Sequence, residues 1–504
     1  ENGGASFVGA GDDRYLQVKY KIRRGIKYSD GKELTSNDAL FLFKLIMNPD
    51  APVVSRAEYQ KLENVDNPDK YTVIYKFRSF NQVQRYYNSL PNKADYAFLK
   101  IFIDTKKPVI SISYPEIGGA YPEHVLGRVP PADIPKSAFA RAPIGTGPFK
   151  VERWTTGQVM VLVQNENYTL TDKPLIKRIE AKFITNVQQL EAQFKTGNLD
   201  MITSEAYVVP PADAAGIQAA GGKIVNRAAA TWEHADFWFG YEPFKDRAVR
   251  EAIITAINRQ RIIEVVFRGA GAVQHGVVPS SVPFSLENPD FAKTYPQVAA
   301  ANKLPIYNYD PAKARSLLDQ AGWALGADGI RAKGGVKLQF EYSTTINAVR
   351  QQIQGLVQAD LKAVGIDAQV KSYPAAVFFN SPGPRETGES KFQEFAWVGS
   401  SDSDFTAWKC SERYDAAKNS GQNAQQYCNP KVDEGDALFT SELDPAKGIN
   451  GHAQAQVALM QDIALVPLAQ RSNIEVINAK LQNHKETNSQ VTSFWNATQW
   501  RFDR

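Results

Sequence analysis

The sequence is poor in residues that hold metals. Its 504 residues include five histidines (124, 234, 275, 452 and 484) and two cysteines (410 and 428), and the histidines offer no spaced metal pair. His-Glu-x-x-His and Gly-x-Ser-x-Gly are absent, and Gly222-Lys223 runs into Ile224, so no phosphate loop follows. Nothing here asks for catalysis, and no cofactor is expected. No apolar run approaches the ~20 residues needed to span a bilayer. Charge of one sign is not concentrated either. Fifty-eight basic against 54 acidic side chains leave +4, spread without long runs, whereas a nucleic-acid partner favours a concentrated basic face. The first residues carry no charged leader, apolar segment or cleavage site, and there is no internal repeat or low-complexity segment.

What is present is ordinary globular material, 43% hydrophobic and 22% charged, in a chain too long for one core; two to four domains are expected. The two cysteines share one short polar stretch. A bridge there would close roughly 17 residues and contribute about 3 kcal/mol; two unpaired thiols are the alternative.

Periodicity places the elements. Tyr15 to Arg23 alternates like a strand. Thr35 can cap a helix whose apolar positions run from Leu40 to Ile46, with Asp38 in its first turn and Asn48-Pro49 as its stop. Tyr71 to Phe77 alternates again. Phe149 to Trp154 and Val159 to Val163 form a hairpin around Thr155-Thr156-Gly157. Val187, Leu190 and Phe194 predict a short helix before a strand at Leu199 to Ile202. Val249, Ala252, Ile253, Ala256 and Ile257 share one helical face, Asn258-Arg259 breaks that helix, and Ile262 to Phe267 starts another. Asp310-Pro311 opens a helix ended by Gly322. The strand Leu338 to Tyr342, the helix from Val349 to Leu361 and the strand Ile366 to Val370 read as a crossover unit of an α/β lobe.

Several written-out strings carry a further signal: RRGIKYSDGKELTSNDALFLFK from Arg23, YPEHVL from Tyr121, APIGTGPFKVERWTTGQVMVLVQNENY from Ala142, FKTGNLDMI from Phe194 and PFKDRAVREAIITAINRQRI from Pro243. In this order they resemble the extracytoplasmic solute-binding proteins that feed peptide, opine and nickel-type ABC importers. The resemblance spans essentially the whole chain. It implies an α/β, two-lobed type II periplasmic-binding-protein fold with an additional small α+β domain. Residues 1–140 would be that small domain, 141–238 with 472–504 the central domain of the first lobe, and 239–471 the second lobe. Complete family members carry several dozen residues ahead of the RRGIKYSDG block, including the first strand of the central domain, so that strand is expected to be missing here. The implied function is capture of a small solute by lobe closure, without bond chemistry, and delivery to an ABC permease. A monomer is expected, periplasmic or at the cell surface, with lipid anchoring as an option.

A solute cleft needs aromatic walls and a few fixed polar groups. The first candidate is Phe395 to Phe405, an apolar strand ending in Gly399-Ser400-Ser401-Asp402, which delivers small polar groups at a strand terminus. Peptide-binding relatives have a tryptophan here, with an aspartate three residues later that pairs with the peptide ammonium. Trp397 is present, but the third residue on is Ser400, and acids come only at Asp402 and Asp404. Either Asp402 reaches the same spot or the ligand lacks a free amine; the two acids as turn caps and Trp397 as core packing are the plainer readings. Trp232 and His234, before the inferred crossing between lobes, are a second pair, against a hydrogen-bonded core histidine. Glu205 and Tyr207 lie where relatives contact solute. Arg385 could meet a carboxylate, against a solvated loop arginine. Oligopeptide is the first expectation for the ligand, then an opine, sugar-phosphate conjugate or oligosaccharide, then a metal chelate. A hydrolase or transferase with an interdomain cleft, and a chaperone-like receptor, are the rival classes.

Overall fold

The protein is described by a computed structural model covering residues 4–53, 56–89, 119–204, 209, 211–399, 405–417, 419–442, 444–485 and 493–503. Near the N-terminus, β1 (Gly4–Val8), β2 (Tyr15–Lys21), β3 (Leu62–Asp69) and β4 (Thr72–Phe77) form an antiparallel sheet in the order β1-β2-β4-β3. The helix Ser36–Met47 packs on it around Leu16, Leu62, Val65, Val73 and Phe77. Its start is a capping box: the Thr35 N–H donates to Asp38 Oδ2 at 2.8 Å. Asp38 Oδ1 also accepts the Glu123 N–H at 3.0 Å, so one acid both starts the helix and anchors the Tyr121 to Leu126 string. β3 escaped the period-2 reading because its pairing with β4 shifts register twice, and each irregularity displaces the alternation.

The hairpin is β5 (Phe149–Thr155) and β6 (Val159–Gln164), extended by β7 (Arg178–Lys182) into a separate three-stranded sheet. Gly157 takes the turn at φ +70°, a region closed to most side chains. The helix Val187–Lys195 follows, capped by Asn186, whose side chain accepts the Gln189 N–H at 2.8 Å.

β8 (Met201–Ser204), β9 (Gly222–Phe237) and β10 (Gly271–Val273) then lead to a small β11 (Ala324–Leu325), β12 (Arg331–Lys333), β13 (Val336–Lys337) sheet. β14 (Gln339–Thr345), β15 (Asp367–Tyr373), β16 (Phe392–Val398) and β17 (Leu465–Asn478) complete the main sheet, and β18 (Leu481–Gln482) pairs with β19 (Arg501–Phe502). The main sheet is ordered β10-β17-β9-β16-β14-β15, with β8 also on β17. β14 and β15 run parallel, joined by the helix Ala348–Lys362, the crossover unit expected from the periodicity. The helices Arg247–Ala256, Arg259–Val265 and Pro311–Gln320 begin at Asp246, Asn258 and Asp310, each accepting a backbone N–H of the first turn at 2.8–3.0 Å.

β9 and β17 pair antiparallel through nearly their full lengths, and each contributes to more than one apolar core. Trp232, Phe237, Leu465 and Val466 belong to a large core with Phe244, Ile253, Ile353 and Phe392. Ile474 and Val476 pack with Phe194, Ile202 and Ile217. Between these cores the strands are less buried, at residues 226–228 and 472–473, and their register shifts between Gln470 and Ser472. Among the described residues no helix is long and apolar enough to cross a membrane.

Candidate functional site

Residues of β9 and β16 face one another in antiparallel register: Trp397 opposite Trp232, Phe395 opposite His234, Gln393 opposite Asp236. Because side chains alternate across a sheet, these six lie on one face. Glu233 and Ala235, with Glu394 and Ala396 opposite, lie on the other.

The first face is aromatic. The His234 ring centre lies 4.5 Å from Phe395, 4.7 Å from Trp232 and 6.1 Å from Trp408. Trp397 is stacked on His234 at 6.4 Å and meets Phe395 edge-on at 5.6 Å. Asp236 anchors the group: its Oδ1 accepts the Trp408 Nε1–H at 3.1 Å, and its Oδ2 lies 3.3 Å from His234 Nε2. Arg385 is buried here, not solvated in its loop, with its guanidinium carbon 4.6 Å from the Phe395 ring centre and 5.5 Å from Phe379. Burial lowers the Arg385 pKa below its ordinary value, while Glu386 and Asp236 act the other way. Trp232 (1% exposed) and His234 (0%) present no surface to a solute; they back Trp397, which remains partly exposed. Ser400, Asp402, Asp404, Glu205 and Tyr207 lie outside the described residues.

The second face is ionic, and the sequence reading missed it. Glu233, wholly buried, pairs with Arg471 and, at 3.3 Å, with Arg350. Arg350 also donates to Thr345 Oγ1 at 2.9 Å. The Tyr342 hydroxyl donates to Glu394, and the Thr344 hydroxyl to the Glu394 carbonyl at 2.8 Å. Burial pushes the Glu394 carboxyl up to about 8, partly opposed by Tyr342 and Arg350. The one signal available in sequence was a glutamate next to an aromatic residue in each strand, at Trp232-Glu233 and Glu394-Phe395.

Cys410 and Cys428 are joined in a disulfide, with Cα atoms 4.5 Å apart. The Cys410 and Ser411 N–H groups donate to Asp433 at 2.8 and 3.1 Å, and Lys409 pairs with Asp436 at 2.9 Å. The clip therefore fixes the short segment that delivers Trp408 to the aromatic face. Among the described residues no group of three His, Cys, Asp or Glu side chains could hold a metal ion.

Residues 12–412 match the family described as bacterial extracellular solute-binding proteins, family 5 Middle. The chain belongs to that family. It is a family of solute-binding proteins and not of enzymes, and its members act outside the cytoplasm. This family 5 protein is 30% identical over 363 residues to the oligopeptide-binding protein AppA of Bacillus subtilis, a match covering 71% of this chain and 59% of the relative. It thus spans less than two thirds of that relative's length. The structure of AppA from Bacillus subtilis in complex with a nonapeptide superposes with a TM-score of 0.76 at 23% identity, covering 99% of this chain and 90% of that one. NikZ from Campylobacter jejuni in complex with Ni(L-His) gives 0.73 at 21%, covering 98% and 89%. The fold is α/β, of the two-lobed type II periplasmic-binding-protein class with an additional small α+β domain.

Proposed function

We propose that this protein is an extracytoplasmic receptor that captures an oligopeptide by lobe closure and presents it to an ABC import permease. The observation that carries this reading is the pair β9 and β17, two long strands passing between separate cores beside a partly exposed tryptophan wall. Two crossing strands with a register shift and reduced burial at one level allow hinge closure about a few backbone positions. The lobes would be residues 1–140 with 141–238 and 472–504, against 239–471, with bending near 226–228 and 472–473. Solute bound to both lobes favours the closed state only by its differential affinity for it. Trp397 would form the wall, and Ser400, Asp402, Asp404, Glu205 and Tyr207 are the further candidates read from the sequence alone. Delivery places the protein in the periplasm or at the cell surface, as a monomer, with or without a lipid anchor.

A second reading, a receptor for an opine, sugar-phosphate conjugate or oligosaccharide, is favoured by Ser400, with a metal chelate third. A serine cannot neutralise a buried ammonium, whose unpaired burial costs several kcal/mol. Thermal shift against peptides of graded length tests the first reading. A discrete optimum length supports it. Stabilisation by opines or chelates alone transfers the assignment, and turnover of ester, peptide or glycoside substrates overturns it.

A further inference from the structure

The ladder between β9 and β17 breaks where the strands pass from one core to the next. Trp232 faces Gln470 and Ala228 faces Ser472, so Ala229, Ala230 and Thr231 stand opposite Arg471 alone. On the other edge of β17, pairing with β10 reaches Arg471 and pairing with β8 covers Ile474 to Ile477. Among the described residues, Ser472 and Asn473 therefore pair with β9 alone. A bulge frees backbone carbonyls from the ladder, and buried ones need other donors. Here those donors all lie between residues 239 and 471, the span read as the second lobe. Gln470, 3% exposed, donates from Nε2 to the Ala229 carbonyl at 2.8 Å, and the Ser281 hydroxyl donates to the same oxygen at 2.9 Å. The Gly399 N–H donates to the Ala230 carbonyl at 2.8 Å. Gln470 Oε1 in turn accepts the Ser280 N–H at 3.2 Å and the Ser280 hydroxyl at 2.6 Å. Ser280 and Ser281 share a turn closed by the Val282 N–H on the Pro279 carbonyl at 2.9 Å. Asn288 braces it, donating from Nδ2 to the Ser280 carbonyl at 2.8 Å. Gly399 packs so closely on this turn that a Cβ there would lie 2.9 Å from Pro279. One glutamine thus joins both long strands to a turn at the point where their ladder breaks.

We infer that Gln470 and the Ser280–Ser281 turn clamp the bulge to the second lobe and so set the hinge axis. With Ala229 and Ala230 held, bending is confined to 226–228 and 472–473, and Trp232 and Trp397 move with the second lobe as one body. Without the clamp, the break at 229–231 joins the bend and the axis moves towards the aromatic wall. The inference rests on the lobe-closure reading and adds the positioning residue that fixes where closure pivots.

Spin labels at Lys177→Cys in the first lobe and Arg315→Cys in the second, both exposed, report lobe separation by double electron–electron resonance. The two native cysteines are joined in the disulfide and take no label. The full chain, dialysed free of solute, is measured with and without a tryptic digest of casein, carrying no further change or Gln470→Met, Ser280→Ala or Gln354→Ala. Gln470→Met keeps the side-chain volume and removes its bonds. Gln354 is the control: also 3% exposed, it donates to the Tyr342 carbonyl at 2.7 Å inside the second lobe. A purely structural loss there should lower the melting temperature and leave the separation alone. Gln470→Met should broaden the distribution, shifting the balance of separations roughly fivefold, and Ser280→Ala should do so less. Should Gln470→Met not fold by circular dichroism, Ser280→Ala carries the test. If the digest changes the separation and neither variant does, lobe closure stands and the clamp falls. Equal broadening in Gln354→Ala also overturns the clamp. One fixed separation in every protein, with and without the digest, overturns closure and clamp together.

Discussion

The two faces of the β9–β16 pair are built from alternate residues of the same strands, yet they do opposite things. On one, rings and a stacked guanidinium leave polar atoms unmatched and Trp397 and Phe379 open to solvent. On the other, the wholly buried Glu233 pairs with Arg471 and with the partly buried Arg350, and Glu394 takes the Tyr342 hydrogen bond while its Oε1 is unmatched. The ionic face ties strands distant in sequence into one register, and the proposed function gives recognition to the aromatic face. Changes on the first should therefore cost stability, and changes on the second should cost affinity.

The largest expected effect is on the ionic side. Glu233→Ala removes the carboxylate shared by the buried Arg471 and the partly buried Arg350, and breaking a buried ion pair from one side costs about 3–5 kcal/mol. Urea unfolding should show this, and a loss within 1 kcal/mol would end the distinction between the faces.

Glu394 sharpens it through pH. Its folded pKa of about 8 lies above the ordinary carboxyl value, so between those two points the folded state binds more protons than the unfolded one. Stability from this group is thus fully present below the ordinary carboxyl range and is lost as pH rises towards about 8, on the order of a few kcal/mol in total. Glu394→Gln should flatten that slope in a series of melting curves. An unchanged slope would contradict a proton held by Glu394.

Trp397→Ala should lower solute affinity by roughly tenfold or more. Its cost to stability should stay well below that of Glu233→Ala, because the ring is only partly buried. Calorimetric titration with a bound solute, paired with a melt, separates the two; wild-type affinity removes Trp397 from the site. The smallest effect belongs to Val398→Ser at the exposed strand end, 37% accessible, where a change within about 0.5 kcal/mol is expected.

How much of this could be read in advance follows from how local each cause is. The helix Arg247–Ala256 was legible because its apolar face repeats at helical spacing and Asp246 announces its start. Much of β9 was not. Ala228-Ala229-Ala230 favours helix locally, and Glu233 and Asp236 are poor strand formers, so the strand exists because β17 and β16 pair with it. The place of Trp397 near the end of a strand was legible from the apolar run Phe395 to Val398. Its supports were not, since Asp236 meets Trp408 across 172 positions and Glu233 meets Arg471 across 238. No sequence period joins partners so far apart.

The measurement that bears most directly on solute capture is native mass spectrometry of the protein purified without refolding. The account predicts a mass excess of one small molecule per chain, released on unfolding and diminished in Trp397→Ala. A bare mass, joined to a melting temperature unmoved by peptides, opines and metal chelates alike, would contradict it.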